Sequence, residues 1–213
     1  MTLILFKFWG RVFVITLIII VGVCFLPHDD YFRYKALDIG AYGKAKWIYE
    51  RIIFDDTPID IVFIGTSHTL NAIDSEIIEE ELSRQFQEKL HVVNLALPHF
   101  GRDMHLLLTR FLLKYRTPKL IVLEVRESEA RDMHPATHYL ANSEDLLKAP
   151  IFVNIRYLSN LSQLPLRQIN LFLKTKWPSL FSDSRSFIRD RYNGAHLNYT
   201  FYNGTKSRDY IIP

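Results

Sequence analysis

The residues best suited to chemistry lie where a short apolar run ends. Residues 59–64 are rich in β-branched side chains, and the run passes directly into Gly65-Thr66-Ser67-His68. A serine held at a strand-to-helix turn is exposed to substrate, and it becomes a nucleophile when a neighbouring base removes its proton. Ser67 is therefore the candidate nucleophile. A serine that only caps the following turn would show the same pattern.

Two further apolar runs repeat this pattern along the chain. Residues 91–96 and 120–125 are short runs, and each is followed at once by a loop with polar or glycine residues. Such runs are typical of strands in a parallel sheet. The candidate oxyanion-binding and substrate-binding residues in these loops are His99, Gly101, Arg126 and Ser128.

Helical patterns separate the three predicted strands. Apolar residues recur at helical spacing in residues 75–89, after a predicted N-cap at Asp74, and again in residues 102–116. Strands that alternate with helices of this length predict right-handed βαβ units and a parallel sheet. Because ligands bind beyond the carboxyl ends of such strands, we expect the three loops to form one site. The predicted fold class is α/β, a three-layer flavodoxin-like parallel sheet after an N-terminal transmembrane helix.

His134 is the candidate base for Ser67. It follows the third predicted strand, which places it at the same edge of the sheet. His68 is adjacent to Ser67 in sequence, but neighbours in a tight turn usually point apart. His134 and His138 could also be considered a metal pair, but Pro135 breaks the helical spacing between them and no third ligand is evident. The sequence therefore predicts no metal and no other cofactor.

Three blocks of the sequence resemble those of SGNH (GDSL-like) hydrolases. Residues 60–68 resemble the first block, in which a strand runs into Gly-x-Ser. Residues 93–101 resemble the second block, an Asn followed by a glycine-containing turn, and residues 118–125 resemble the strand that leads to the third block. The resemblance covers about residues 58–130 and implies ester chemistry at a serine.

The first two blocks imply roles for individual residues. Ser67 matches the family's nucleophile, whose own N–H contributes to the oxyanion hole. A glycine N–H of the second block is the next donor in the family. Strict counting from Asn94 places this donor at His99, and a small shift places it at Gly101.

The third block and the base depart from the family's pattern. Arg126-Glu127-Ser128-Glu129 stands where the family has Gly-x-Asn-Asp, so Arg126 or Ser128 could donate to the oxyanion instead. The family's late Asp-x-x-His is absent. The base is therefore missing, is replaced by His134, or belongs to a C-terminal part that this chain lacks.

The N-terminal segment predicts a membrane anchor. Residues 12–26 carry no charge, and with residues 8–11 they approach the roughly 20 residues that span a bilayer core. Lys7 and Arg11 favour an N-terminus on the cytoplasmic side. A cleaved signal peptide and a buried soluble helix remain as alternatives. The single cysteine, Cys24, lies in this run, so an intrachain disulfide is excluded, and the residues before it do not fit an acylation site.

The predicted organisation has three parts. They are an anchor over residues 1–27, a juxtamembrane linker or helix over 28–57, and an SGNH-like α/β domain over 58–213, with its core in 58–130 and a helical and irregular part in 131–213. Residues 146–176 look helical in pieces interrupted by Pro150 and Pro165, and residues 197–202 could form a further strand. Because three strands are few for such a domain, we expect the chain to be incomplete at its C-terminus.

The composition favours a folded protein and makes a nucleic-acid partner a poor first hypothesis. Hydrophobic residues make up 48% of the chain and the net charge is only +3, without a long basic block. The predicted function is a membrane-anchored SGNH-like esterase or O-acyltransferase that acts on acyl groups of an envelope polysaccharide or similar polymer. It would lie in the bacterial inner (cytoplasmic) membrane, with its soluble part on the extracytoplasmic side. The alternative is a catalytically inactive or truncated envelope protein of the same fold that binds a glycan or a partner.

Overall fold

Helices and a small parallel sheet make up the part of the chain that the computed structural model describes, residues 2–37, 42–99, 101–125, 133–148 and 156–181. The helices are α1 (Thr2–Val23), α2 (Tyr31–Lys35), α3 (Lys44–Ile53), α4 (Ser67–Ala72), α5 (Ser75–Phe86), α6 (Arg102–Tyr115), α7 (Thr137–Leu140), α8 (Ser143–Lys148) and α9 (Tyr157–Lys176). The strands are β1 (Ile61–Ile64), β2 (Val92–Asn94) and β3 (Leu120–Leu123). The predicted strand at residues 197–202 and the predicted break at Pro150 lie outside the described residues.

The sheet has the order β2-β1-β3, and both pairings are parallel. Val62 on β1 stands opposite Val93 on β2 and Ile121 on β3. The parallel sheet that the sequence predicted is thereby confirmed. Each strand is shorter than its apolar run. The pairing continues past β2, where the N–H of the fully buried Leu95 donates to the carbonyl of Phe63 at 2.8 Å.

Helices cover both faces of β1, which explains why it has no polar side. Val62 and Ile64 belong to a core cluster that contains buried side chains of α2, α3 and α6. Ile61 belongs to a second cluster, against which Ile78 and Leu82 of α5 pack. Successive residues of a strand point to opposite faces, so an apolar run without alternation fits a strand that is buried on both sides.

The third strand differs from the other two in its exposure. Leu120 and Leu123 of β3 are 51% and 46% exposed, whereas Val62 of β1 is fully buried. β3 pairs with β1 along one side, and within the described ranges little packs against its faces. An apolar run therefore predicted the strand correctly but did not predict how well neighbouring elements cover it.

Residues next to α5 determine where this helix begins and ends. Asp74 caps α5 by accepting hydrogen bonds from the N–H groups of Glu76 (3.0 Å) and Ile77 (3.2 Å). The helix ends at Phe86, three residues earlier than predicted, and Gln87 adopts a left-handed conformation with φ of 51°. A residue in this conformation after the last turn commonly ends a helix.

The predicted interruption at Pro165 is wrong. α9 runs without a break from Tyr157 to Lys176 with Pro165 inside it. Proline removes one backbone donor and usually breaks or kinks a helix. Here the inner face of α9 is held by packing, since Leu164 and Leu171 are buried on either side of Pro165.

Replacing the cap of α5 should have a modest effect on stability. We expect Asp74→Ala to lower the free energy of unfolding by about 1 kcal/mol, because two backbone donors lose their acceptor. Asp74→Asn keeps a side-chain oxygen at the cap and should cost less. Urea titrations of the full chain measure both, and equal losses for the two variants would contradict the capping role.

The N-terminal helix is suited by length and composition to cross a membrane, a property that it shares with signal sequences. Residues Phe6–Val23 form an apolar window of 18 residues that is not buried in the protein. Residues 6–22 of α1 are exposed, whereas Val23 and Cys24 are half-buried. The rest of the described chain therefore packs against the end of α1 and leaves its apolar length uncovered.

Candidate site at the strand ends

The carboxyl ends of all three strands meet at one edge of the sheet. Beyond β2, the N–H of Leu97 donates to the carbonyl of Gly65 at 3.1 Å. Beyond β3, the N–H of Glu124 donates to the carbonyl of Ile64 at 2.9 Å. These two bonds draw the loops after β2 and β3 against the loop after β1. The edge therefore brings together groups that lie far apart in sequence.

Ser67 lies at this edge as the first residue of α4. The cap of the helix is Thr66, whose hydroxyl oxygen accepts a hydrogen bond from the N–H of His68 at 3.2 Å. Ser67 is half-buried, and its hydroxyl has no hydrogen-bond partner in the part of the chain that the structure describes. The capping role considered for Ser67 thus belongs to its neighbour, and the Ser67 hydroxyl is left available.

The carboxylate of Glu124, which the sequence analysis did not predict as a site residue, holds this turn by hydrogen bonds. Glu124, just after β3, accepts hydrogen bonds from the N–H of Thr66 (2.7 Å), the hydroxyl of Thr66 (2.9 Å) and the hydroxyl of Thr69 (2.6 Å). The Nδ1 atom of His68 lies 3.6 Å from the same carboxylate. The signal in the sequence was an acidic residue at the carboxyl end of an otherwise apolar strand.

The charge of Glu124 is strongly favoured. Partial burial acts to raise the pKa of its carboxyl group, but the hydrogen bonds from Thr69 and Thr66 outweigh this effect and lower the pKa to about 2. Glu124 is therefore ionised at every ordinary pH.

The glycine of the first block has a steric reason. A Cβ atom at Gly65 would lie 2.6 Å from Oε2 of Glu124 and would also collide with the side chain of Thr69. Only glycine leaves room for the hydrogen bond between these two residues. The Gly-x-Ser pattern thus serves the carboxylate network as well as the turn itself.

Asn94, the asparagine of the second block, fastens α4 to the sheet. Its side-chain amide donates to the carbonyl groups of Thr69 (3.0 Å) and Ile73 (3.2 Å), and its oxygen accepts from the N–H of Ala96 at 3.0 Å. Asn94 is 1% exposed. Its role in this structure is to position the helix that begins with Ser67.

His134, the candidate base, is held in a different hydrogen-bond network. Its Nε2 lies 2.7 Å from the carbonyl oxygen of Pro98, and its Nδ1 lies 3.0 Å from the N–H of Ala136. The only tautomer that satisfies both bonds is neutral, with the proton on Nε2. The ring is 2% exposed, and burial lowers its pKa to about 4. Both nitrogens are thus occupied by the backbone.

The loop after β2 packs against this histidine. Gly101 has φ of 148°, and a Cβ atom there would lie 2.6 Å from the Cβ of His134. His99 has φ of 85° and is exposed, with its ring centroid 5.8 Å from that of His134. Both conformations are unusual for residues with a side chain. The need for glycine at position 101 is therefore explained by its conformation and its contact with His134. This explanation does not depend on a role as oxyanion donor.

Arg126 and Ser128 lie outside the described residues. Across the described ranges, no group of three or more His, Cys, Asp or Glu side chains is arranged to hold a metal ion.

These features define a mixed α/β protein with a serine-bearing loop at the carboxyl edge of a three-stranded parallel sheet. It also carries an N-terminal helix long and apolar enough to span a membrane. Comparisons with family models, with curated proteins and with solved structures found no match.

Proposed function

We propose that the protein is a membrane-anchored SGNH-like esterase or O-acyltransferase in which Ser67 is the nucleophile. Its substrates would be acyl groups on an envelope polysaccharide or similar polymer, and α1 would hold it in the bacterial inner (cytoplasmic) membrane with the rest of the chain outside the cytoplasm. One observation carries the proposal. At the point where three parallel strands end, the neighbouring hydroxyls of Thr66 and Thr69 are held by Glu124, and that of Ser67 is not.

The chemistry requires a base, and two of the histidines near this edge, His68 and His134, have different environments. His68 is 65% exposed, and its Nδ1 faces the carboxylate of Glu124 at 3.6 Å. His134 carries its proton on Nε2, so it could accept a second proton only at Nδ1, after the hydrogen bond from the N–H of Ala136 breaks. We therefore propose His68 as the base, oriented by Glu124 and reaching Ser67 directly or through one water.

The oxyanion donors remain proposals that follow the family resemblance. The N–H of Ser67 and the N–H of Gly101 or His99 would stabilise the negative charge that develops on the carbonyl oxygen, a contribution of about 3–4 kcal/mol per donor in well-studied hydrolases. Arg126 or Ser128 would supply the third donor. Single substitutions of Arg126 and Ser128 test this assignment. The residue that supplies the donor should lower kcat more than it raises KM when replaced, and the other should not.

The test of the proposed function is covalent labelling and ester hydrolysis by the full chain in detergent or nanodiscs. We expect a fluorophosphonate probe to label the wild type and Ser83→Ala, a control on α5 that is half-buried like Ser67, but not Ser67→Ala. Hydrolysis of p-nitrophenyl acetate should fall to background in Ser67→Ala and by about 100-fold in His68→Ala. Equal rates for the wild type and Ser67→Ala would remove Ser67 from the chemistry.

A second function is favoured by the state of His134. Both ring nitrogens of His134 make hydrogen bonds with the backbone, and the ring is buried. In this arrangement His134 stabilises the loops and does not act as a base. This favours a non-catalytic domain that binds a glycan or a protein partner at the same edge. A chain that the probe does not label, but that retains a purified envelope polysaccharide in a pull-down lost in Ser67→Trp, would support this second function over the first.

A further inference from the structure

Helix α9 has an apolar face on each side, and only one of them is used within the described structure. On the inner face Leu164, Gln168 and Leu171 are buried. Leu166 is two residues from Leu164, which corresponds to a rotation of about 200° around the helix axis. Its side chain therefore points away from the buried face. Four apolar side chains form this outward stripe, with exposures of 76%, 72%, 39% and 49%: Leu158, Leu166, Ile169 and, directly after the helix, Trp177.

The inner face fixes α9 beside the end of α1. The side-chain amide of Gln168 donates to the carbonyl of Cys24 at 3.0 Å, and the hydroxyl oxygen of Thr175 accepts from the N–H of Asp29 at 3.0 Å. Cys24 and Asp29 flank the point where the apolar run of α1 gives way to polar residues. If α1 crosses a bilayer, as proposed above, this contact holds α9 at the level of the membrane surface.

The charge of this region matches such a surface. Between Asp145 and Asp183 the sequence contains five basic residues and no acidic residue. Two of them have partners within the protein, since Arg167 donates to backbone carbonyls of α7 and its end and Lys148 pairs with Glu144. The others stand at the two ends of α9, Arg156 at its start and Lys174 and Lys176 in its last turn. Exposed apolar side chains combined with an excess of Lys and Arg are the pattern of helices that lie in the interface of anionic membranes. A soluble partner protein would account for the stripe but not for its fixed position next to the anchor.

We propose that α9 lies along the membrane surface beside α1, with the outward stripe inserted among the headgroups of a bilayer that contains anionic lipids. The contact would hold the strand-end site at a fixed height and orientation above the membrane. The inference rests on the proposed anchoring by α1, but it does not depend on the proposed chemistry at Ser67.

The test places a fluorescent label on the stripe of the full chain. Cys24 is the only cysteine and its carbonyl, not its thiol, makes the contact, so Cys24→Ser provides the background for Leu166→Cys. The matched control is Ile77→Cys, at an exposed aliphatic position on α5. α5 packs against Ile61 of the sheet and not against α1. Each variant is labelled with an environment-sensitive dye and reconstituted in phosphatidylcholine vesicles with and without phosphatidylglycerol.

We expect the label at position 166 to emit at shorter wavelength and to lose most of its emission to nitroxide-labelled lipids, more strongly with phosphatidylglycerol present. The label at position 77 should show neither effect. Equal quenching at both positions, or none at position 166 in vesicles that retain the protein, would overturn the inference. So would a shift that depends on protein density, which indicates a second copy on the stripe. Release of the chain from vesicles by alkaline carbonate would instead refute the anchoring itself.

Discussion

Replacing Glu124 with Gln is expected to lower the free energy of unfolding by about 3 kcal/mol at pH 7. The pKa of this carboxyl group falls from 4.5 to about 2, and each unit corresponds to about 1.36 kcal/mol of stabilisation of the charged form. The side chain is only 15% exposed, so solvent screening reduces this value little. Gln keeps the shape of the side chain but loses the charge that three donors share.

The same residue makes stability depend on pH in a defined window. Because the folded-state pKa of Glu124 is lowered, its contribution is complete above the unfolded value of 4.5 and is lost as the pH falls through about 2. Burial of His134 adds a separate loss between about 6.5 and 4. His134 is unchanged in Glu124→Gln, so its effect cancels in the difference between the two proteins.

Urea unfolding of the full chain at several pH values measures both effects. The difference in stability between the wild type and Glu124→Gln should be largest above pH 5 and should shrink steadily below pH 4. Glu80→Gln is the matched control, since Glu80 is an exposed residue of α5, and it should change stability by less than about 0.5 kcal/mol. A constant difference at every pH would mean that the charge of Glu124 is not what stabilises the turn.

Replacing Asn94 with Asp is expected to cost at least about 3 kcal/mol, since it inverts a buried hydrogen-bond pattern. The amide of Asn94 donates to the carbonyls of Thr69 and Ile73, whereas an ionised carboxylate can only accept. The variant loses both bonds and leaves a buried negative charge against carbonyl oxygens. Because α4 carries Ser67 at its start, the same change should also reduce any chemistry at Ser67.

Acidification should partly rescue this variant. Burial raises the pKa of a carboxyl group, so the introduced Asp takes up a proton on folding and regains a donor, and its deficit relative to the wild type should decrease as the pH falls. The matched control is Asn142→Asp. Asn142 is exposed and uses only its oxygen, which accepts from the N–H of Asp145 at 2.7 Å, so Asp serves there equally well. Similar losses for both variants would show that the amide donors of Asn94 are not important.

Local patterns were sufficient for the positions of the main elements. β1, β2 and β3 lie inside the predicted apolar runs, and α5 and α6 begin where the cap and the periodicity placed them. Each of these predictions rests on residues within a few positions of one another, where periodicity and capping act. The parallel pairing followed as well, because strands joined through helices can pair in few ways.

The exposed sheet edge and the unbroken α9 depended on packing that no local pattern contains. β3 is as apolar as β1, yet three of its four side chains are exposed because few described elements lie against it. Pro165 should interrupt a helix, but buried contacts on either side of it hold α9 together. In both cases the outcome depends on which other elements cover the segment.

At the candidate site, local sequence determined some features and tertiary packing determined the others. The sequence alone determined that Ser67 stands at a strand tip, since the apolar run and Gly65 are adjacent to it. Only the tertiary structure decided that Glu124, 58 positions beyond Thr66, closes the turn and that the backbone occupies both nitrogens of His134. Hydrogen bonds form between atoms about 3 Å apart. Which distant residues reach that separation is set by the packing of the whole chain.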